Sequence, residues 1–374
     1  LPPPVAEKAL GADTFPLWAG SKGWQTSVHN PTALDAILTG KPYPVRAMYV
    51  SGVNIAVTYP DTRKVMAALR SLDFLAVASH MMTPTSEIAD IVLPKTTGLE
   101  EEEISLDPSA QIVCYTNPVK TPEGKARSDF EFTTDLARRL ETRGIDTRKF
   151  FPWKNSKDFN TYLLGDEIDW DLLKRQGWAP FAYEIANFGE AGFKTPSRKI
   201  ELRSQILDDI GIDPLPAYQT PRAEQTTPSE QKNFPLILIT GAREKTYHHS
   251  RYRDQAWARR ISPFPLLQVH PKDATQMALA DGDWIAVETL GFEGSCKLKV
   301  SVSTETDAGT VRTGMGWWLP EVEGPEKGAL DVNVNVALSY GGPWDPVTGS
   351  ADTRGLPCRI TPLPELDVPM QELV

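Results

Sequence analysis

An α/β domain with a parallel sheet, followed by a β-barrel domain, is the fold the sequence predicts. Three observations carry it. Between residues 45 and 94 short apolar segments alternate with helical patterns, as in a parallel sheet covered on both faces. Residues 220–233 are polar and read as an exposed linker. Beyond 233 the apolar segments are short and separated by turn signals, as in an all-β unit.

The first thirty residues are rich in Gly, Pro and Trp and show little periodicity. They read as a connector (1–30) from a region that this segment lacks. Residues 31–150 form the α/β domain. Thr32 to Leu38 suits a helix, Val45 to Val50 a buried strand, and Ser51 to Asn54 the turn at its carboxyl end. Asp61 to Leu72 predicts a helix with an acidic N-cap and apolar positions at Val65, Met66, Leu69 and Leu72. Phe74 to Ala78 and Ile91 to Pro94 are further buried strands, with a helical turn over 85–89. Ser128 to Arg143 is amphipathic. Ligands of such sheets sit beyond the carboxyl ends of the strands, which puts Gly52, Asn54 and Ser79 at a binding edge. Residues 151–230 are an irregular, helical connector. The barrel covers 231–366, with strands at 234–240, 266–269, 284–289, 296–301 and 309–312, turns at Asp281-Gly282 and Gly291, and a helix over 273–279. Residues 367–374 are a tail.

Composition narrows the function. The chain has 374 residues, 40% hydrophobic and 24% charged, with a net charge of −10. That charge argues against a nucleic-acid binder, which needs a basic surface to replace counterions. No apolar run reaches the roughly 18 residues of a membrane-spanning helix. Cys114, Cys296 and Cys358 lie far apart and read as isolated thiols or small core residues. An iron–sulfur cluster needs about four cysteine ligands, so this chain cannot hold one alone. No Met leads the chain and no signal-peptide pattern opens it, which points to a fragment or a processed chain.

The segment Thr240-Gly241-Ala242-Arg243-Glu244-Lys245-Thr246-Tyr247-His248-His249-Ser250-Arg251 is the richest in chemistry. Arg grips phosphate bidentately, and a glycine with backbone N–H groups cradles it. Adjacent histidines on a strand point to opposite faces, so they are poor partners for one metal ion. Glu100 to Glu103 reads as a solvated acidic stretch. No G-x-S-x-G, P-loop or H-E-x-x-H pattern occurs.

From Pro31 to about Leu363 the chain resembles the C-terminal part of the molybdopterin oxidoreductases, the dimethyl sulfoxide reductase family. The resemblance rests on the run 39–47 leading into Gly52-Val53-Asn54, on Met82-Thr83-Pro84-Thr85-Ser86-Glu87-Ile88-Ala89-Asp90-Ile91-Val92-Leu93-Pro94, and on Ala126-Arg127-Ser128-Asp129. In the second half it rests on the 240–251 segment, Val269 to Ala274, Asp281 to Thr289, Gly316-Trp317-Trp318 and Asp345-Pro346 with Arg354. His29 to Leu34 and Thr195 to Leu202 resemble the acetylene hydratase and thiosulfate/polysulfide reductase side of that family.

The resemblance implies a Rossmann-like first domain and a double-psi β-barrel second domain. It implies two copies of molybdopterin guanine dinucleotide with Mo or W in the complete enzyme. Gly52, Asn54, Ser79 and Asp129 would lie along one guanosine. Thr240, Gly241, Arg243, His248, His249 and Ser250 would meet pyrophosphate or pterin. Asn333, with Asn335 as its rival, and Arg354 would complete the site. Ser79 departs from the pattern, because many relatives carry Asp there. The metal ligand and the cysteines of any iron–sulfur cluster belong to the family's N-terminal half, so no catalytic or metal-ligating residue is assigned. The implied partners are a small-molecule substrate and an iron–sulfur electron-transfer subunit, without nucleic acid or a membrane span. The setting implied is prokaryotic anaerobic respiration, periplasmic or cytoplasmic, with attachment to a membrane-bound complex as one arrangement. Two other readings stay open: a cofactor-binding module completed by a separate chain, and a non-redox hydratase of the same family. An unrelated nucleotide-dependent enzyme would need a glycine-rich phosphate loop at a strand–helix junction, and the sequence has none.

Overall fold

The computed structural model describes residues 3–20, 27–107, 109–181 and 188–364; the expected tail lies outside them. The chain divides into two compact units, each discontinuous in sequence, whereas the expected segments are contiguous. The first comprises Leu1–Val77, Met81–Ile91 and Pro216–Val374, and the second Ala78–His80 and Val92–Leu215.

In the α/β segment β1 (Ala47–Ser51), β2 (Phe74–Ser79) and β3 (Ile91–Pro94) form a sheet in that order. The helices Asn30–Thr39 and Thr62–Ser71 stand where the apolar spacing predicts them. Asp61 caps the second by accepting from Lys64 N. Leu34, Ile37, Val65, Met66 and Leu69 pack with Val50, Leu75 and Val77 in one core. The expectation that all three strands are buried is corrected. Tyr49, Phe74 and Ile91 are exposed, because strands buried on both faces need cover on both, and the core gathers the opposite side chains, Val50, Leu75 and Val77.

The barrel of the first unit is closed in the order β10-β8-β11-β7-β12-β9. Its strands are β7 (Leu236–Ala242), β8 (Leu266–Val269), β9 (Trp284–Thr289), β10 (Ser295–Val302), β11 (Thr310–Gly314) and β12 (Leu356–Pro362). Pairs β10–β8 and β11–β7 run parallel and the other four antiparallel. Strict alternation of buried and half-buried residues along β9 sends every second side chain inward. Leu238, Leu267, Val269, Ile285, Val287, Leu298 and Val311 fill the interior. Cys296 and Cys358 join them as core residues, and burial pushes both thiols up to about 12. The helix expected over 273–279 is Pro271–Gln276, with Pro at its first position. Where β11 meets the end of β7 the register shifts between Arg312 and Gly314. Bulges of this kind bend a strand and re-aim its side chains.

The second unit holds an antiparallel sheet of β4 (Glu103–Asp107), β5 (Ile112–Thr116) and β6 (Trp178–Pro180). Its helices include Asp129–Glu141, Ser156–Leu164 and Trp170–Gln176. The reading of Glu100–Glu103 as solvated holds for Glu103, which is exposed, and is corrected for Glu101 and Glu102. Glu103 opens β4, and Glu102 accepts from the Tyr115 hydroxyl at 2.6 Å and from Lys174 Nζ at 2.7 Å. Burial and the neighbouring Glu103 push Glu101 up to about 7. Tertiary partners far along the chain thus absorb charges that local composition assigns to water. No described helix is long and apolar enough to cross a membrane.

Candidate functional site

Strand β7 ends in Thr240-Gly241-Ala242, and this end carries the site. Gly241 has φ 79°, a left-handed conformation that favours glycine. A Cβ there would lie 3.0 Å from Arg354 Nη2, so the missing side chain lets the guanidinium lie over the turn. Thr240 Oγ1 donates to Thr353 O at 2.6 Å, which ties β7 to the loop that holds Arg354.

These residues open on a cavity of about 250 Å³ within the first unit. Thr240, Gly241, Asn335 and Arg354 line it, together with Trp18 and His29. His29 is buried. Its Nε2 contacts Gly349 O at 2.8 Å and its Nδ1 contacts Thr32 Oγ1 at 2.7 Å. A carbonyl only accepts, so Nε2 donates and Nδ1 receives the Thr32 hydroxyl proton. Burial lowers the His29 pKa, against the raising effects of Gly349 and Asp35. The imidazole packs against Phe15 at 4.3 Å and Trp344 at 5.1 Å, and fixes the 345–351 loop at the cavity edge.

A second, small cavity lies beneath the following loop. Arg243, Glu244, His248, His249 and Arg253 line it, with Ala242 and Met315. His249 takes a left-handed φ of 54° and Tyr252 one of 72°, so this loop stores backbone strain. Burial lowers the His249 pKa, and the charges of His248, Arg243 and Arg253 lower it further. Burial raises that of Glu244. The neighbourhood is electropositive in a protein of net charge −10, which local placement of charge allows.

Asn54 and Ser250 meet directly. Asn54 Nδ2 donates to Ser250 Oγ at 2.9 Å, and Trp318 Nε1 donates to the same oxygen at 3.2 Å. Asn54 Oδ1 accepts from Thr85 Oγ1 at 2.6 Å and Thr85 N at 3.3 Å. The turn after β1 is therefore latched to the loop after β7. Gly52 takes φ 73° with open space where a side chain would be. Asn333 is fully buried, and its amide donates to Val57 O and Thr62 Oγ1. Asn335, its rival, also donates to Val57 O, at 2.9 Å, but lines the cavity beside Gly241, so access to a ligand favours Asn335.

Ser79 and Asp129 belong to the second unit. There Lys95 N donates to Ser79 O at 3.1 Å and Lys95 Nζ pairs with the Asp129 carboxylate. Asp129 opens its helix behind a Ser128–Glu131 capping box.

Sequence reasoning missed Trp18, His29 and Arg253 as site residues. The signal for His29 was its place just before a Pro-started helix; its partner loop lies some 320 positions away. Among the described residues no group of three or more His, Cys, Asp or Glu side chains is arranged to hold a metal ion. The donor set of Arg243, Arg354, Thr240, the Gly241 turn and Asn335 suits an anionic ligand with polar ends.

Comparison with known proteins agrees with this chemistry. Residues 236–357 match the molydopterin dinucleotide binding domain, and residues 19–139 match the molybdopterin oxidoreductase model. The acetylene hydratase of Syntrophotalea acetylenica is 34% identical over 340 residues, which cover 87% of this chain and 45% of that protein. The dimethyl sulfoxide reductase DmsA of Escherichia coli is 26% identical over 314 residues, covering 73% and 36%. The structure of acetylene hydratase from Pelobacter acetylenicus superposes with a TM-score of 0.87 at 30% identity, covering 96% of this chain and 52% of that one. The chain thus spans about half the length of such relatives. Barrel, site chemistry and ordered matches agree: the chain belongs to the molybdopterin oxidoreductase family, of dimethyl sulfoxide reductase type.

Proposed function

We propose that this chain is the cofactor-clasping portion of a molybdenum or tungsten enzyme that carries two pterin guanine dinucleotides, and that it is not catalytically complete alone. The observation that carries the reading is the cavity shared by Thr240, Gly241, Asn335 and Arg354. Arg354 and the Gly241 backbone would hold a pyrophosphate, and Asn335, whose amide also donates to Val57 O, offers its carbonyl oxygen and a second N–H to a pterin edge. Arg243 adds positive charge beside it, and the His248 and His249 rings lie alongside. Ser79 and Asp129 serve a guanosine end. Asn54 and Ser250 act through their mutual hydrogen bond, which shapes the loop. The barrel takes the double-psi form and the β1–β3 segment the Rossmann-like form in this reading.

When bound, the metal centre would supply oxygen-atom, hydride or electron transfer, and the protein would position and tune it. The metal ligand and any iron–sulfur cluster come from the N-terminal region, and an iron–sulfur subunit exchanges electrons with the complete enzyme. A second reading, a non-redox hydratase, is favoured by the 34% identity to an acetylene hydratase.

Metal and nucleotide analysis of the full-length protein tests the proposal. We expect about two GMP released by acid hydrolysis per chain, with about one Mo or W. Active full-length protein without guanine nucleotide would overturn it. Water addition without electron uptake would select the hydratase.

A further inference from the structure

Arg253 is 1% exposed, yet its guanidinium is not fully spent. Nε donates to His249 O at 3.0 Å and Nη2 reaches Met315 O at 3.5 Å. The rings of Tyr247 and Trp317 flank it at 4.4 and 4.3 Å. Nη1 has no partner. Burying a charged N–H without an acceptor is unfavourable, so the position calls for a group that the described residues do not provide.

The place for that group is the small cavity under the His248–His249 loop. It measures about 20 Å³, enough for one oxygen-sized atom. Charge decides between a water and an anionic oxygen. Two guanidinium groups, Arg243 and Arg253, face the cavity against one carboxyl, Glu244. Burial raises the pKa of that carboxyl, which weakens its opposition to an anion. The two rings and the His249 carbonyl hold the guanidinium in place beforehand, so little order is lost when an oxygen arrives.

We propose that this cavity is an oxyanion pocket in which Arg253 Nη1 donates to one oxygen of a phosphoryl group. That oxygen comes from the cofactor's own pyrophosphate, which rests on the dinucleotide reading above, or from a free oxyanion. No role for Arg253 follows from the sequence pattern.

The test uses full-length protein made with cofactor and, in a host unable to make the pterin, without it. Inorganic phosphate is titrated and followed by ³¹P line width and by the shift in melting temperature. Cofactor-free wild type is expected to bind phosphate. Arg253→Lys keeps the charge but loses the fork, and should weaken binding about tenfold or more. Ala242→Val leaves the arginine alone and fills the cavity, and should do the same even if the first variant folds poorly. Loss of phosphate binding in the cofactor-loaded protein assigns the oxygen to the cofactor; retained, Arg253-dependent binding assigns it to a free oxyanion. No phosphate binding by cofactor-free wild type, or equal binding by both folded variants, overturns the pocket and leaves a water site. Protein from the cofactor-producing host that carries no GMP yet binds phosphate through Arg253 would sink the dinucleotide reading and leave the pocket standing.

Discussion

The barrel and the β4–β5–β6 sheet are both small β units, yet they hold themselves together differently. The barrel closes on itself and buries a continuous core from Leu236 to Cys358. The open sheet centres on three buried residues, Val113, Leu173 and Ala179, and leaves Leu106 and Trp178 exposed. Closure removes strand edges and lets a period-2 sequence bury one side chain in two. An open three-stranded sheet cannot do this and depends on polar partners such as Glu102 with Tyr115 and Lys174. The cavities around Gly241 and Arg253 sit at the end of a barrel strand, on the rigid scaffold that a precise binding geometry needs.

The sharpest way to break this comparison is a pair of core truncations. Leu267→Ala removes a fully buried side chain inside the closed barrel, where neighbours cannot collapse, and should cost about 4–5 kcal/mol, the upper end for such changes. Leu173→Ala, equally buried in the small core, should cost about 2–3 kcal/mol because an open sheet relaxes. Denaturant unfolding of the full-length protein measures both, and equal costs would remove the distinction. Next in size, Gly241→Ala places a Cβ against Arg354 at a left-handed φ. It should cost roughly 1–2 kcal/mol and lower GMP retention about tenfold, read by nucleotide release over time. Unchanged retention would detach the turn from the cofactor.

Asn54→Ala cuts three hydrogen bonds between the β1 turn, Thr85 and Ser250. It should destabilise the fold by about 1–3 kcal/mol, seen as a lower melting temperature, and Asn54→Asp should recover the Thr85 half. The smallest effect is a contrast in pH. Burial holds His29 below its ordinary 6.5, so its stabilising contribution is present above 6.5 and lost as pH falls through the folded value. Glu101 is raised from 4.5 to about 7, so its contribution is present below 4.5 and lost as pH rises through 7. Hydrogen-exchange protection from pH 5 to 8 should therefore rise near His29 and fall near Glu101. His29→Gln and Glu101→Gln should each flatten its own trend, and parallel trends would refute the assignment.

Much of the fold was legible because the signals are local. The alternating strand 284–289 and the helix 62–71 follow from periodicity and capping. Strands β4, β5 and β12 were not legible: their residues are mixed in polarity, and pairing across the chain selects them. The site was half legible. Thr240, Gly241 and Arg354 converge on one cavity as the motif implied. Asn333 does not line it: its amide reaches Thr62 Oγ1 as well as the Val57 carbonyl that Asn335 shares, and two asparagines so close together are indistinguishable by sequence. Arg253 escaped notice because an arginine between two aromatic rings has no local signature; Trp317 lies 64 positions beyond it in the chain.

Trp317 and Trp318 are neighbours in the chain, fully buried, and belong to different clusters. The first packs with Tyr247, Ala258 and Leu319, the second with Val65, Leu69 and Ala329. A dipeptide shared in this way acts as a rivet between the loop that follows β7 and the α/β core. Pulling either cluster loose drags an indole from the other, so the two should melt together in calorimetry. A force applied to one should register at once in the fluorescence of both.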